Sequence, residues 1–549
     1  MSLSVRSSLI LLLVAVPLSA QQTPATPSLP ARPGPKPVQI QPAILDTGIF
    51  SPLPLPEAND IRRANGAPGK GYWQQRADYL IKATLDTTAR RLGGSVVITY
   101  TNNSPDTLTR VWMQLDQNLF RKGSVGSLLN AQESRFGGAG FDGGFEITSF
   151  TQASRGARGA AGPAKEVKRR VDDTMMDVEL AVPLPPRGTT VFTIAYSFNI
   201  PEHGADRMGR DGSLYELAQW YPRMAVYDDV HGWNTLQYLG QGEFYLEYGD
   251  FAYEVTVPAG YIVGGTGTLQ NPLEVLTATQ RARLAAGAKS DSTTRVITAE
   301  ELASGTARPK KDGTLTWKFK AQNVRDVAWA ASPDYQWDIS AWQGIIANAY
   351  YRPSAAELWK DAADMSRFSI QEYSTKYLHY PYPQISAIEG PVSGMEYPMV
   401  AMEARDNTKE GLFAVITHEI GHMWYPMIVG SDERRYPWMD EGFNTYINIF
   451  SEEGYFKRDD TPRRIGENSF VAANDQQPTA QPIMTYANRF RTGQNLGSLA
   501  YIKPGNGLYI LRNKILPPGL FDQAFAEYTR RWAFKHPQPA DFFRTIEDV

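Results

Sequence analysis

The chain of 549 residues contains no cysteine. Disulfides, a lipid-modified N-terminal cysteine, cysteine nucleophiles and cysteine-ligated metals are thereby excluded. Any metal site must be built from carboxylates and the chain's six histidines. An excess of one charge is lacking too: 55 Lys and Arg against 58 Asp and Glu leave a formal net charge of −3. No dense basic stretch marks a nucleic-acid partner. Beyond the N-terminus no apolar run approaches the ~20 residues of a membrane helix, so a mature chain without a membrane span is expected. What remains is ordinary globular composition, 42% hydrophobic and 21% charged, in a chain long enough for two or three domains.

The first twenty residues stand apart. Arg6 supplies a positive charge, residues 9–18 are apolar but too few to span a bilayer, and the small residues Ser19 and Ala20 precede polar Gln21 and Gln22. This order predicts a signal peptide over residues 1–20 and an exported protein, periplasmic or extracellular. Residues 21–71 are rich in Pro, Ala and Gln and predict an extended linker.

Residues 72–340 predict an N-terminal, mostly antiparallel β domain. The runs 79–85, 94–100, 191–197 and 251–257 carry strand signals separated by turn clusters. Two stretches within it, 137–168 and 277–313, read as mobile surface insertions. From about 341 the period turns helical. Ser354 is placed to cap a helix carrying Leu358, Ala362, Met365 and Phe368. A second helix spans 409–425, closed by Pro426, and a third starts near Asp440. Residues 541–549 look like the opening turns of a helix, as expected if this sequence is a fragment lacking further helices. The fold class expected is multidomain α+β.

Within the second predicted helix stands His418-Glu419-x-x-His422. Positions four apart share a helix face, so both imidazoles can reach one ion. Glu419 follows the first ligand and can face the open coordination position. A catalytic zinc needs a third protein ligand plus water. Glu441 offers itself: eighteen residues separate it from His422, enough to finish one helix and return on another. Two imidazoles and a carboxylate suit a single Zn²⁺, with Glu419 as general base toward the attacking water. His203, His231, His379 and His536 lack ligand spacing and read as solvated or structural.

With these residues in view, the chain resembles the aminopeptidase N family of gluzincin metallopeptidases, which includes leukotriene hydrolase-type enzymes. Trp424, Trp438 and Gly442 match the residues that flank the zinc ligands in that family. The match is specific over about 390–450 and looser over 72–549. It implies a saddle-like β domain, then a thermolysin-like zincin catalytic domain over 341–549 with the start of further helices. It also implies removal of N-terminal residues from peptides with a free N-terminus. Gly394, Met395 and Glu396 resemble the family's exopeptidase signature, in which the Glu grips the substrate's α-amino group. Ser393 and Tyr397 replace that signature's Gly and Asn. Tyr501 resembles the Tyr that steadies the oxyanion, although Pro504 interrupts the pattern around it. Gln219 aligns with a β-domain residue that helps hold the amine. A surface role for Glu396, a core role for Tyr501 and a strand-end role for Gln219 stay open. An endopeptidase of thermolysin type and a non-catalytic binding module are the alternatives on the same residues.

Overall fold

The computed structural model describes residues 55–129, 141–154, 162–202, 207–310, 312–404, 408–459 and 461–549. The expected signal peptide, most of the expected linker and His203 lie outside the described residues.

Strand alternation builds the β part. In Arg76–Asp86 the residues Ala77, Tyr79, Ile81, Ala83 and Leu85 are buried, and in Thr189–Asn199 Phe192, Ile194, Tyr196 and Phe198 are. A period of two gives each strand one apolar face, which the sheet turns to the core. Eight strands pair in the order Thr268–Leu269, Thr314–Val324, Gly249–Pro258, Arg76–Asp86, Arg91–Thr101, Thr189–Asn199, Glu146–Ser154 and Lys165–Glu166. Every pair is antiparallel except Arg76–Asp86 with Gly249–Pro258. Two four-stranded sheets are built from the same part of the sequence.

A six-stranded sheet carries the second half. Its order is Thr294–Ile297, Gln336–Trp342, Ile345–Tyr351, Gln384–Glu389, Val400–Glu403 and Met395–Tyr397. Gln384–Glu389 is buried at every position, as befits a strand in parallel pairing on both sides. Met395–Tyr397 is the edge, with Glu396 opposite Ala401.

Three helices pack together here: α1 (Ala362–Lys376), α2 (Lys409–Gly421) and α3 (Glu441–Phe456). The Thr408 hydroxyl caps α2 by accepting from the Gly411 N–H at 3.0 Å. Leu412, Phe413, Ile416 and Ile420 bury its apolar side. In its middle the Thr417 hydroxyl meets Ser369 at 2.9 Å and Tyr373 at 2.9 Å on α1, and Ser451 at 2.5 Å on α3. One buried hydroxyl cluster thus registers three helices against each other.

Several expectations need correction. Residues 277–313 are not a plain insertion. Thr277 with Gln280 and Thr298 with Glu301 form reciprocal capping boxes that start Ala278–Gly287 and Ala299–Ala303. Between them Thr294–Ile297 joins the six-stranded sheet. That sheet also takes in Gln336–Trp342, across the point where the sequence changes period. Within 137–168, Glu146–Ser154 is a strand of the large sheet; residues 137–140 and 155–161 lie outside the described residues. Ser354 falls inside a short 3₁₀ turn, Pro353–Ala355, and the long helix begins only at Ala362. The helix α2 stops at Gly421, short of Tyr425, because the chain turns on itself through bonds from Trp424 N–H to Gly421 C=O and from Met427 N–H to His422 C=O. The end of the expected linker is docked rather than extended. Buried Arg62 pairs with Asp229 at 2.8 Å and Asp541 at 2.5 Å, and the Trp532 indole donates to the Gly66 carbonyl at 2.8 Å.

Candidate metal centre and active-site cleft

His418 and His422 lie at the C-terminal end of α2, and Glu441 is the first residue of α3. Their crossing requires close approach at Gly421, where a Cβ would sit 2.0 Å from the Asn444 side-chain oxygen. With only hydrogen there, Asn444 donates to the His418 carbonyl at 2.8 Å. The three side chains then converge. His418 Nε2 and His422 Nε2 are 3.1 Å apart, and Glu441 Oε2 is 3.3 Å from each.

The surroundings leave three lone pairs pointing at the centre of this triangle. Asn448 donates through its amide nitrogen to the Tyr373 hydroxyl at 2.9 Å, so its oxygen faces His418 Nδ1 at 2.8 Å and makes that nitrogen the protonated one. His422 Nδ1 lies 2.8 Å from the Tyr425 carbonyl and 2.7 Å from Asp440 Oδ1, which fixes its tautomer the same way. Glu441 Oε1 accepts from the Tyr501 hydroxyl at 2.6 Å, whereas Oε2 is buried and has no hydrogen-bond partner. Donors about 3.3–3.4 Å apart are what tetrahedral bonds of about 2.0–2.1 Å require. Two imidazole nitrogens, one orphaned carboxylate oxygen and this spacing fit a zinc ion.

Around the triangle runs a cleft of about 440 Å³ lined by Gly394, Glu396, Glu419, Tyr501 and Glu243 among others. Glu419 is buried, and desolvation, offset in part by the two imidazoles, holds its carboxyl above the ordinary range. Gly394 adopts a φ of +77°, and a Cβ there would come within 3.0 Å of Glu419 Oε1. A side chain at that position would press on Glu419, in a backbone conformation that itself favours glycine. Tyr501, in a π-helical turn Gly497–Ile502, stacks its ring on His418 with centroids 6.1 Å apart. Burial and then the Glu441 charge push its phenol well above the usual value, so it keeps its proton and donates. Burial would also raise Glu441, but the flanking imidazoles hold it well below the usual carboxylate range.

Glu396 comes from the edge strand. Its side chain is buried, its Oε1 has no hydrogen-bond partner, and the nearest positive group is His422 Nδ1 at 4.0 Å. It belongs to a cluster with Glu243, Glu433 and Asp440, each offering an oxygen within 4.8 Å of the others. Arg207 pairs with Glu243 at 2.6 Å, Arg325 pairs with Glu433, and His422 faces Asp440. Among the described residues Glu396 alone of the four has no close cation, and burial drives its carboxyl well above the ordinary range, against the pull of His422.

His418, His422, Glu441, Glu419, Glu396, Gly394 and Tyr501 are therefore brought together. Gln219 is not among the residues lining the cleft. It is buried with a φ of +50°, and its amide donates to the Tyr397 hydroxyl at 3.2 Å. The β part sends Glu243 into the cleft instead, a residue absent from the sequence-based site. It directly follows Gly242 in a connecting segment, and nothing in its spacing ties it to the zinc helix. Asn444 and Asn448 are further additions. They stand three and seven residues after Glu441, on its face of α3, and that helical spacing is the signal that marks them.

Comparison with known proteins points to the same part of the chain. Residues 368–549 match the Peptidase family M1 domain. Aminopeptidase N of Plutella xylostella is 27% identical over 220 residues, covering 36% of this chain and 23% of that protein. Glutamyl aminopeptidase of Sus scrofa is 23% identical over 152 residues, covering 27% of this chain and 16% of that protein. The matched region thus spans about a quarter or less of the length of these curated relatives. A crystal structure of an M1 zinc metallopeptidase from Deinococcus radiodurans superposes with a TM-score of 0.54 at 15% identity, covering 88% of this chain and 93% of that one. That likeness concerns the fold. Residues 368–549 thus resemble a Peptidase family M1 domain, and the chain is similar in fold to an M1 zinc metallopeptidase.

Proposed function

We propose that the protein is a zinc-dependent aminopeptidase, releasing N-terminal residues from peptides with a free α-amine. One observation carries this reading: a buried carboxylate, Glu396, faces the cleft beside the metal triangle with no close cation of its own. A buried charge needs a partner, and a substrate ammonium supplies it.

His418, His422 and Glu441 would hold the zinc. When bound, zinc polarises a carbonyl and lets a water lose its proton near neutral pH. Glu419 takes the proton from the water that attacks the first peptide carbonyl and delivers it to the leaving amine. Tyr501 turns its hydroxyl from Glu441 to the carbonyl oxygen as negative charge grows there. Glu396 holds the ammonium, which sets the register so that only the first peptide bond meets Glu419.

The test is hydrolysis of free and N-acetylated aminoacyl amide reporters, with and without a zinc chelator. Chelator-sensitive turnover of the free-amine reporters alone is expected, and Glu396→Ala should lose that turnover while retaining zinc. Equal turnover of acetylated reporters would replace this reading with an endopeptidase. A separate measurement addresses Tyr501. The Tyr501→Phe variant should keep its metal and lose about 10²–10³-fold in kcat; an unchanged kcat would remove Tyr501 from the mechanism.

A further inference from the structure

We propose that Arg464 receives a substrate carboxylate, which makes the enzyme selective for peptides bearing one a few residues after the scissile bond. This rests on the aminopeptidase reading and names the class of peptide that its cleft takes.

Helix α4 (Thr461–Asp475) contributes Arg463, Arg464 and Glu467 to the cleft lining, and α3 contributes Glu452. Arg463 bonds Glu452 and donates from Nε to Glu467 Oε1 at 2.9 Å. Glu467 Oε2 accepts from Arg464 Nη1 at 3.1 Å and from the Asn506 amide at 3.3 Å. Both acids of this wall are thus engaged. Arg464 is 5% exposed, and its Nε and Nη2 are shielded from solvent with no hydrogen-bond partner among the described residues.

Those two nitrogens form the edge of a guanidinium that grips a carboxylate through two parallel bonds. The chain uses that edge so elsewhere. Arg62 holds Asp229 by Nε and Nη2 at 2.8 Å each, Arg352 holds Glu389 at 2.9 and 2.6 Å, and Arg512 holds Asp522 at 2.5 and 2.7 Å. At Arg464 the same edge is buried and unbonded, and a charged donor kept from water without an acceptor is costly. An entering carboxylate removes that cost, and the flexible arginine stem lets the edge turn into the cleft.

The place on α3 sets the reach. Glu452 stands eleven residues after Glu441, about 16 Å along a helix that rises ~1.5 Å per residue. An exopeptidase holds a single residue before the bond it cuts, so what extends this far is the chain after that bond. About five extended residues or fewer, at ~3.3–3.6 Å each, cover the distance. The C-terminal carboxylate of a short peptide and an acidic side chain in a longer one both meet the requirement.

The experiment uses the full chain loaded with zinc and a length series of peptides that begin with leucine and continue in glycine. Each is tested as the free acid, as the C-terminal amide, and as the amide with Asp in place of its last residue. The wild type should prefer a carboxylate form over the plain amide by about tenfold or more in kcat/KM, the gain expected of a charged hydrogen bond. Preference for the free acid alone identifies the C-terminus as the ligand, and preference for the Asp amide alone identifies the side chain. Arg464→Gln should bring the ratio to within about twofold of unity, at unaltered zinc content. Arg464→Lys keeps the charge but not the paired edge and should lose most of the preference; it decides if the glutamine variant fails to fold. A ratio that persists in the variants would put the carboxylate elsewhere and overturn this proposal. So would a wild type that requires a free amine yet ignores the carboxylate at every length. Equal cleavage of N-acetylated peptides would overturn the aminopeptidase reading and this proposal with it.

Discussion

Replacing Glu441 with alanine should strip the protein of zinc and with it all chelator-sensitive peptidase turnover. The reason lies in the triangle. Its Oε2 is one of three converging donors, 3.3 Å from each imidazole nitrogen, and the remaining pair of imidazoles makes an open, two-coordinate site in place of a three-ligand catalytic one. The carboxylate also supplies the only negative charge within the ligand set, and zinc binding to two neutral imidazoles forgoes that attraction. A second loss follows from the first: the Tyr501 hydroxyl, which donates to Glu441 Oε1 at 2.6 Å, is released from its present position. Elemental analysis should read roughly one zinc per chain in the wild type, the stoichiometry of a single catalytic site, and close to none in Glu441→Ala. A variant that kept both its metal and its turnover would place the site elsewhere.

How much of this is legible in the sequence depends on distance along the chain. The ligands of α2 can be read because a helix brings residues four apart together without help from the rest of the molecule. Glu441 can be read because α3 begins with it. The alternation that places Tyr79 and Ile81 in the core is equally local. Residues 277–313 mislead through composition: polar, Ala-rich sequence suggests a loose insertion, while Thr277 with Gln280 and Thr298 with Glu301 carry the helix starts. Glu146–Ser154 is hidden because only Ile147, Phe150 and Ala153 in it are apolar and only Phe150 and Gln152 are buried, so its alternation is faint. The buried acids beside the metal triangle are the hardest. Glu396 sits on an edge strand and Glu243 in a connection of the β part; their oxygens come within 4.8 Å of each other, and no periodicity in either segment announces the other. Gln219 rests on alignment, and the left-handed backbone that turns it toward Tyr397 has no sequence signature at a glutamine.

The sharper test of mechanism is Glu419→Gln, because it separates proton transfer from metal binding. Glutamine matches the size of the glutamate it replaces and leaves His418, His422 and Glu441 in place, so zinc content should stay at the wild-type level. What it lacks is a basic oxygen. Loss of a general base of this kind costs about 10²–10⁴-fold, and the loss should appear in kcat with KM little changed, since the proposed amine contact lies on other residues. Glu419→Asp distinguishes the base from mere negative charge. It keeps the carboxylate but draws it back along a shorter side chain, and a displacement of about 1 Å in a reacting group can cost about 10²-fold. Aspartate should therefore fall between the wild type and glutamine. The walls of the site make that intermediate value informative: Gly394 stands close against Glu419 Oε1, so the carboxylate has a defined place from which to be displaced. If Glu419→Gln retains zinc and turns over within about tenfold of the wild type, well short of what losing a general base costs, the proton must leave by another route, and the base would have to be sought elsewhere in the cleft. If it loses zinc instead, Glu419 serves the architecture of the metal site.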